Sequence, residues 1–273
     1  MSELKPFMNY KNPGRAFITG ASAGLGRSFA NKLAQYGFDL VLLARRKGRL
    51  QAMADELTSR HSIECEIIQA DLADLNVIIK VADQISQIKN LDVIVNCAGF
   101  ATVGHFADVP IEKSMRMKNV HITATMQFTY AALQTMLKRN RGAIINVSSM
   151  GAFTLTPGNV VYDATKSFLN TFSENLWLEV EKTGIRIQAL CPGFTRTEFH
   201  EVGDLVNFNR SAVPDSLWMT SDEVVSESLR ALEKNKELIF IPGWKNRLSK
   251  WLILHSGFIR KAMQKKVKDR DLK

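Results

Sequence analysis

Short apolar runs rich in β-branched residues alternate along the chain with longer stretches in which apolar residues recur every three or four positions. The runs indicate strands buried on both faces, and the longer stretches indicate amphipathic helices. Strands are predicted near 15–19, 39–44, 64–69, 91–95, 142–147, 184–190 and 237–241, and helices near 24–36, 47–60, 74–88, 111–139 with a break, 160–182 and 221–234. We therefore predict an α/β fold, a Rossmann-like, doubly wound parallel seven-stranded sheet with helices on both faces.

The length of 273 residues, with 45% hydrophobic residues, suits one α/β core and no second globular module. We expect an N-terminal extension (1–14), one folded domain (15–243) and a C-terminal helical tail (244–273). The longest apolar stretches are far shorter than a bilayer span, and the N-terminus lacks the apolar segment of a secretory signal. A cytoplasmic protein is expected.

Positive charge is concentrated at the C-terminal end. Ten Lys/Arg and two Asp lie between Lys245 and Lys273, so this segment carries +8 of the formal net charge of +9. The remainder is nearly neutral, which argues against a nucleic-acid partner. The basic, amphipathic tail predicts peripheral contact with an anionic membrane or, equally, a helix packed on its own domain. Three cysteines and five histidines lack metal-ligand spacing, so no metal site is expected.

A glycine-rich turn follows the first predicted strand and opens a helix, in the sequence Thr19-Gly20-Ala21-Ser22-Ala23-Gly24-Leu25-Gly26. Glycines permit a tight turn and bring backbone N–H groups and the positive helix end close to a pyrophosphate. The alternative is a turn without a ligand. Its placement between a buried strand and an amphipathic helix favours a dinucleotide site.

The second predicted strand ends at Arg45 and Arg46, where many dinucleotide folds carry an acid that binds the ribose 2′-hydroxyl. Guanidinium groups bind a 2′-phosphate through charge-assisted hydrogen bonds, and the Ser22 hydroxyl can add another. NADP(H) is therefore the expected cofactor. The alternative interpretation is a solvated start of the following helix.

A phenol and an ammonium share one face of the 160–182 helix, because Tyr162 and Lys166 are four positions apart. We expect the cation to lower the pKa of Tyr162 and make it a general acid. Ser149 follows the fifth strand, at the edge of the sheet where ligands bind. By itself the Tyr162/Lys166 pair is more often a surface pair, so its meaning depends on the other motifs.

These motifs, in this order, closely resemble the short-chain dehydrogenase/reductase family over roughly residues 15–241. The family's Asn-Asn-Ala-Gly segment appears as Asn96-Cys97-Ala98-Gly99, in which Cys97 is a departure. The resemblance assigns a catalytic tetrad to Asn119, Ser149, Tyr162 and Lys166. With the residues above, it places the cofactor against Gly20, Ser22, Gly24, Leu25, Gly26, Arg45, Arg46, Asp71, Leu72, Asn96, Ala98, Gly99, Tyr162, Lys166, Pro192, Gly193, Thr195 and Thr197.

The resemblance implies hydride transfer between a nicotinamide and a carbonyl or alcohol carbon. Tyr162 would donate the proton, Ser149 would hydrogen-bond the same oxygen, Lys166 would lower the tyrosine pKa and hold the nicotinamide ribose, and Asn119 would support a water relay. The family pairs the helices at 111–139 and 160–182 across a two-fold axis, so a homodimer or homotetramer is expected.

The substrate is the least defined part of the interpretation. The 194–219 segment is expected to act as a lid, and apolar residues near the strand ends favour a lipophilic ketone, aldehyde or 3-oxoacyl compound; these residues are Phe100, Phe106, Met150, Ala152 and Phe153. A non-catalytic, NADP(H)-binding regulatory or membrane-associated protein on the same fold is the alternative. A serine hydrolase is disfavoured, since no G-x-S-x-G elbow is visible.

Overall fold

The computed structural model describes residues 10–154, 156–201, 203–206, 208–235 and 238–255. Most of the predicted N-terminal extension (1–9) and of the basic tail (256–273) lies outside the described residues. The described part forms one seven-stranded sheet in the order β3-β2-β1-β4-β5-β6-β9, and every neighbouring pair is parallel. The predicted fold class is confirmed.

The strands and helices alternate along the chain. The main strands are β1 (Arg15–Thr19), β2 (Asp39–Ala44), β3 (Cys65–Gln69), β4 (Leu91–Asn96), β5 (Gly142–Val147), β6 (Ile185–Leu190) and β9 (Ile239–Phe240), and a separate parallel pair consists of β7 (Thr195–Arg196) and β8 (Met219–Thr220). The helices are α1 (Gly24–Gln35), α2 (Lys47–His61), α3 (Leu75–Ser86), α4 (Ile111–Lys118), α5 (Ala124–Arg139), α6 (Val160–Val180), α7 (Ser221–Lys234) and α8 (Trp244–His255). The strands of the seven-stranded sheet and helices α1 to α7 lie close to their predicted ranges, α8 lies within the predicted helical tail, and β7 and β8 were not predicted.

The sheet is buried on both faces because successive strand residues point to opposite sides. In β1, Ala16 and Ile18 pack in one core with α1, α2 and α7, whereas Phe17 packs in a second core with α3, α5 and α6. Phe17 meets Phe128 of α5 edge to face, with ring centroids 6.0 Å apart. These two cores hold the strand ends in fixed positions.

The strand order places the switch point between β1 and β4. The chain runs from β1 outward through β2 to β3, then returns to the other side of β1 to begin β4. Ligands of open parallel sheets bind at such a point, outside the carboxyl ends of the strands. We therefore expect the site to lie among the segments that follow β1, β4, β5 and β6.

The predicted break in the 111–139 helix is a π-helical turn at Asn119–Thr123 between α4 and α5. Such turns widen the helix by one residue and occur often at functional sites. Here the turn starts at a predicted tetrad residue.

Candidate active site

The turns after β1 and β4 are joined directly. Thr19 Oγ1 accepts hydrogen bonds from the backbone N–H groups of Cys97 and Ala98, each at 2.9 Å. Gly20 has a φ of +68°, and a Cβ there would lie 3.0 Å from Ala98 Cα. The glycine at this position is therefore required both by its backbone conformation and by the close approach of the two turns.

The N-terminus of α1 is open for an anion. No side chain caps its first N–H groups, since Ala23 occupies the N-cap position. A Cβ at Gly26 would lie 2.3 Å from the carbonyl oxygen of Gly20, so the glycine packs the turn against the helix. Gly24 faces Thr197, whose Cβ would lie 3.1 Å from an added Cβ. An uncapped N-terminus inside a glycine turn fits a pyrophosphate.

Three donors converge beside this turn, and we call Ser22, Arg46 and Arg49 the anion cluster. Arg46 Nη2 donates to Ser22 Oγ at 3.1 Å. The Glu198 carboxylate bridges both guanidiniums, by an ion pair with Arg46 and a 2.8 Å contact from Glu198 Oε2 to Arg49 Nη1. The structure thus brings Arg46 to Ser22, and Arg45, Arg46 and Arg49 are all exposed.

Arg49 and Glu198 were missed at the sequence level. Arg49 lies one helical turn after Arg46 on α2, so i, i+3 spacing could have indicated it. Glu198 lies 152 positions from Arg46, and only the fold brings the two together.

The remaining predicted cofactor residues line the strand ends. Asp71 follows β3 and accepts hydrogen bonds from the Ala73 N–H and from Arg116 Nη2, each at 3.0 Å, while Leu72 is buried. Asn96 is buried at the end of β4, and its Nδ2 donates to Asn146 Oδ1 at 2.9 Å. This amide joins the ends of β4 and β5.

The predicted Ser149, Tyr162 and Lys166 meet at the ends of β5 and α6. Gly151 lies between them, and its added Cβ would be 3.2 Å from Tyr162 Cε1 and 3.4 Å from Ser149 Oγ. Lys166 is buried, and its Nζ lies 5.6 Å from the centre of the Tyr162 ring. The same Nζ donates to the Val147 carbonyl at 2.9 Å. The phenol of Tyr162, the hydroxyl of Ser149 and the ammonium of Lys166 therefore lie close together, beside the turns that follow β1 and β4.

Burial is the main cause of the pKa shifts of Tyr162 and Lys166. It raises the pKa of Tyr162 to about 12, against a smaller lowering from a hydrogen bond with Ser149. Burial also lowers the pKa of Lys166 to about 8. The expectation that the pKa of Tyr162 is lowered is wrong for this structure, because desolvation of the phenolate outweighs the hydrogen bond with Ser149, and the charge of Asp163 raises the pKa further.

Asn119 lies at the start of the π-helical turn with its side chain directed to β3. Its Nδ2 donates to the Ala73 carbonyl at 2.9 Å, and its buried Oδ1 has no hydrogen-bond partner among the described residues. No hydrogen bond joins this amide to Lys166 in the described part of the chain. The side chain thus links the π-helical turn to the segment after β3.

His121, in the same turn, is a further residue that sequence reasoning missed. Its Nε2 accepts from the Phe100 N–H at 3.1 Å, its Nδ1 lies 2.8 Å from Thr165 Oγ1, and its ring meets Tyr162 with centroids 5.8 Å apart. Burial holds the pKa of His121 well below its ordinary value, so the imidazole is neutral. It supports one side of the Tyr162 ring.

The segment after β6 completes the edge of the site. Pro192 accepts a hydrogen bond from the Met150 N–H at 2.9 Å, and Thr195 Oγ1 donates to the Gly193 carbonyl at 3.1 Å. A Cβ at Gly193 would lie 2.5 Å from Asn246 Oδ1 on α8. The predicted Pro-Gly turn is therefore packed against a buried amide of the C-terminal helix.

An aromatic cluster covers the site from the 194–219 segment, where a lid was predicted. It consists of Phe194, Phe199, His200, Phe208 and Trp218, with neighbouring centroids such as His200–Phe208 and Phe194–Trp218 at 4.9 and 5.3 Å. Phe199 meets Tyr162 at 6.2 Å. Of the predicted substrate residues, Phe100 packs on His121, whereas Phe106 is exposed and Phe153 lies under Lys250 of α8.

Comparison with known proteins settles the family. The model described as short chain dehydrogenase matches residues 15–203, from β1 to the start of the 194–219 segment. The chain belongs to the short-chain dehydrogenase family. It is an oxidoreductase of that family, and its relatives act on alcohols and ketones.

Three relatives illustrate the range of the family. A 7beta-hydroxysteroid dehydrogenase of Mediterraneibacter gnavus is 30% identical over 234 residues, covering 85% of this chain and 87% of that protein. A short-chain dehydrogenase from Sphingobium yanoikuyae, solved in complex with NADPH, is 30% identical with a TM-score of 0.79, covering 94% and 95%. The bulky-bulky ketone specific alcohol dehydrogenase of Comamonas testosteroni is 27% identical with a TM-score of 0.76, covering 95% of each chain.

Proposed function

We propose that this short-chain dehydrogenase is an NADPH-dependent reductase of a lipophilic ketone, aldehyde or 3-oxoacyl compound. The observation that carries the proposal is the convergence of Ser149, Tyr162 and Lys166 beside an uncapped helix N-terminus. A binding protein without chemistry would need the glycine turn but not a buried phenol next to a buried ammonium. The non-catalytic alternative is therefore disfavoured.

The cofactor fits the chain at several points. The glycine turn and the N-terminus of α1 would hold the pyrophosphate, the anion cluster the 2′-phosphate, and Lys166 the nicotinamide ribose. The nicotinamide supplies a hydride at C4 when bound. Thr197 lies over Gly24, at the edge of the same cradle.

Proton transfer falls to Tyr162. With a pKa of about 12, the phenol stays protonated through the neutral range, so it is always available as a donor to the carbonyl oxygen. Ser149 Oγ, already accepting from the Gly151 N–H at 3.0 Å, can donate its own proton to the same oxygen. Lys166 stabilises the tyrosinate that remains.

Support for NADP(H) over NAD(H) comes from the anion cluster. Arg46 and Arg49 bind a carboxylate and Arg46 also contacts Ser22; the edge of a carboxylate is close in geometry to that of a phosphate. The Sphingobium yanoikuyae relative was solved with NADPH bound. Arg49 therefore joins the predicted Arg45/Arg46 pair among the proposed 2′-phosphate ligands.

Support for a lipophilic substrate comes from the aromatic cluster. Phe199 of this cluster meets Tyr162, so a substrate carbonyl reaching the phenol would place its apolar body against the cluster. Relatives named for a hydroxysteroid and for bulky ketones act on compounds of this kind.

Two interactions are part of the same proposal. Exposed apolar residues on α4, α5 and α6 fit a homodimer or homotetramer; they are Ile111, Met115, Met126, Tyr130, Leu137, Val160 and Leu178. On α8, Trp244, Leu248, Trp251 and Leu254 lie on one exposed face among cations, which fits reversible contact with an anionic membrane. Within the described ranges, every helix is too short or too polar to span a bilayer.

The test is a panel of carbonyl compounds with oxidation of NADPH followed at the nicotinamide absorbance. Tyr162→Phe keeps the ring contacts but removes the donor, so we expect turnover to fall about 10²–10⁴-fold with cofactor binding nearly intact. Tyr130→Phe, at an exposed tyrosine of α5, is the matched control. Less than a tenfold loss in Tyr162→Phe would reject the assigned role.

A further inference from the structure

The carboxylate of Glu198 occupies the anion cluster. It pairs with Arg46, which also donates to Ser22 Oγ at 3.1 Å, and it pairs with Arg49 at 2.8 Å. These two guanidiniums and one hydroxyl are the donors that a 2′-phosphate would need. The pairing also lowers the pKa of Glu198, with the hydrogen bond from Arg46 as the largest cause, so the carboxylate is ionised at neutral pH.

Glu198 belongs to the substrate side of the site. It opens a short 3₁₀ turn, Glu198–Glu201, which directly follows Thr197 and carries Phe199 against Tyr162 and His200 against the aromatic cluster. The two ion pairs therefore join the start of α2 to the cover of the active site.

The two anions exclude each other. Arg46 and Arg49 each donate one hydrogen bond to the Glu198 carboxylate, and an N–H group that donates there cannot donate to a phosphate at the same time. Two negative groups at hydrogen-bond distance from the same donors also repel. A 2′-phosphate can enter only when Glu198 leaves.

We propose that Glu198 is an internal competitor for the 2′-phosphate of NADP(H), and that the phosphorylated cofactor releases the Glu198–Glu201 turn from α2. The inference rests on the proposed function. NAD(H), which lacks the phosphate, leaves both ion pairs in place. Glu198 is thus a specificity-determining residue: it lowers the affinity for NADPH, and it couples the identity of the cofactor to the cover of the active site.

The first experiment measures binding. Wild type, Glu198→Gln and Glu201→Gln are titrated with NADPH, NADH, 2′,5′-ADP and 5′-AMP at fixed salt. A partly exposed ion pair changes an equilibrium constant by a factor of about 1.4 to 5, so the loss of two pairs should tighten NADPH and 2′,5′-ADP about 2- to 25-fold. NADH and 5′-AMP should be unchanged. Glu201→Gln is the matched control, because Glu201 ends the same turn but pairs with Arg210 at 2.9 Å.

The second experiment measures whether the Glu198–Glu201 turn is released from α2. Hydrogen exchange of residues 198–201 should rise when wild type binds 2′,5′-ADP and should not change with 5′-AMP. In Glu198→Gln, exchange should be high already and insensitive to either nucleotide. Thermal unfolding of each variant confirms that it is folded.

The outcomes separate the inference from the proposed function. If wild type prefers NADPH but Glu198→Gln binds it no more tightly, or if 2′,5′-ADP lowers exchange at 198–201, the inference is overturned and the cofactor assignment stands. If neither wild type nor Glu198→Gln prefers the phosphorylated ligands, the assignment of NADP(H) fails, and the inference fails with it. A preference that emerges only in Glu198→Gln supports the competitor and contradicts the cofactor assignment for wild type.

Discussion

At the scale of single residues, the site contains a phenol and an ammonium whose pKa values are shifted apart, in opposite directions. Burial raises the pKa of Tyr162 to about 12 and lowers that of Lys166 to about 8. Both shifts have one cause, since desolvation disfavours the phenolate and the ammonium alike. The phenol is therefore a permanent donor near neutral pH, and the charge that titrates is the one on Lys166.

This order of pKa values predicts the pH dependence of reduction. Lys166 is charged below about pH 8 and neutral above it, so the cation that stabilises the tyrosinate is lost as the pH rises. We expect kcat/KM for NADPH-dependent reduction to be level below this pH and to fall above it as one proton is lost, because this parameter reports the free enzyme.

The variant Lys166→Arg tests the assignment. A guanidinium stays charged throughout the accessible range, so whatever activity the variant retains should show no decline near pH 8. A decline that persists in Lys166→Arg would assign the titration to another group, and a level profile through pH 9.5 in wild type would contradict the pKa order.

Sequence reasoning reached the residues whose neighbours lie nearby along the chain. Tyr162 and Lys166 are related by helix geometry, and Ser149 is placed by the strand before it. Glu198 and His121 were not predicted because their contacts depend on tertiary structure. Glu198 pairs with Arg46, 152 positions away in the sequence, and His121 contacts Thr165, 44 positions away. Their side chains carry no local pattern that indicates a partner.

At the scale of elements, the spacing of apolar residues predicted the strands and helices that pack against the two cores. The strands of the sheet and helices such as α1 and α6 follow the prediction, since each presents a regular apolar face to one of the two cores. The secondary structure of the 194–219 segment was not predicted, because short 3₁₀ turns and the two-residue strands β7 and β8 are too short to show a repeating apolar pattern. Aromatic contacts within the segment, rather than a repeating pattern, give it its shape.

A buried amide on α8 contacts the Pro-Gly turn of the site, which gives a prediction of its own. Asn246 Nδ2 donates to the Pro242 carbonyl at 2.9 Å, and the side chain contacts Gly193. Asn246→Ala should lower the free energy of unfolding by about 1–3 kcal/mol, because the Pro242 carbonyl loses its partner in a buried place. Cofactor binding should weaken as well.

Chemical denaturation with a cofactor titration measures both effects. Ser249→Ala, which removes a half-buried hydroxyl from the same helix, is the control and should change stability by less than about 0.5 kcal/mol. Equal stability losses in the two variants would show that Asn246 is not the anchor.

At the scale of the whole molecule, exposed apolar surface predicts self-association. Met126, Tyr130 and Leu137 follow one another on α5 at helical spacing, and each is at least 45% exposed. A closed dimer would bury this face against its own copy. We expect sedimentation at micromolar concentration to give a multiple of 30.6 kDa, and Met126→Glu with Tyr130→Glu to give 30.6 kDa. Ile79→Glu, at an exposed position of α3, should leave the assembly unchanged, and a monomeric wild type would refute the prediction.

The exposed face of α8 predicts a second contact, with an anionic membrane. Trp251 and Leu254 are 56% and 55% exposed, and the segment from Lys245 onward carries +8 of the net charge. Interfacial helices gain from apolar burial and from about 1 kcal/mol per cation near an anionic surface. A chain ending at Gly243 would lose Asn246 and so disturb the domain itself, which makes point variants the better test.

We expect the full chain to co-sediment with vesicles of phosphatidylglycerol and phosphatidylcholine at about 0.1 M salt and to be released at about 1 M, because salt screens the surface attraction. Trp251→Ala with Leu254→Ala should weaken binding, whereas Leu178→Ala, at an exposed leucine of α6, should not. Vesicles of phosphatidylcholine alone should bind little. Negligible binding by wild type to the anionic vesicles would leave α8 with a structural role alone, held to its own domain through Asn246.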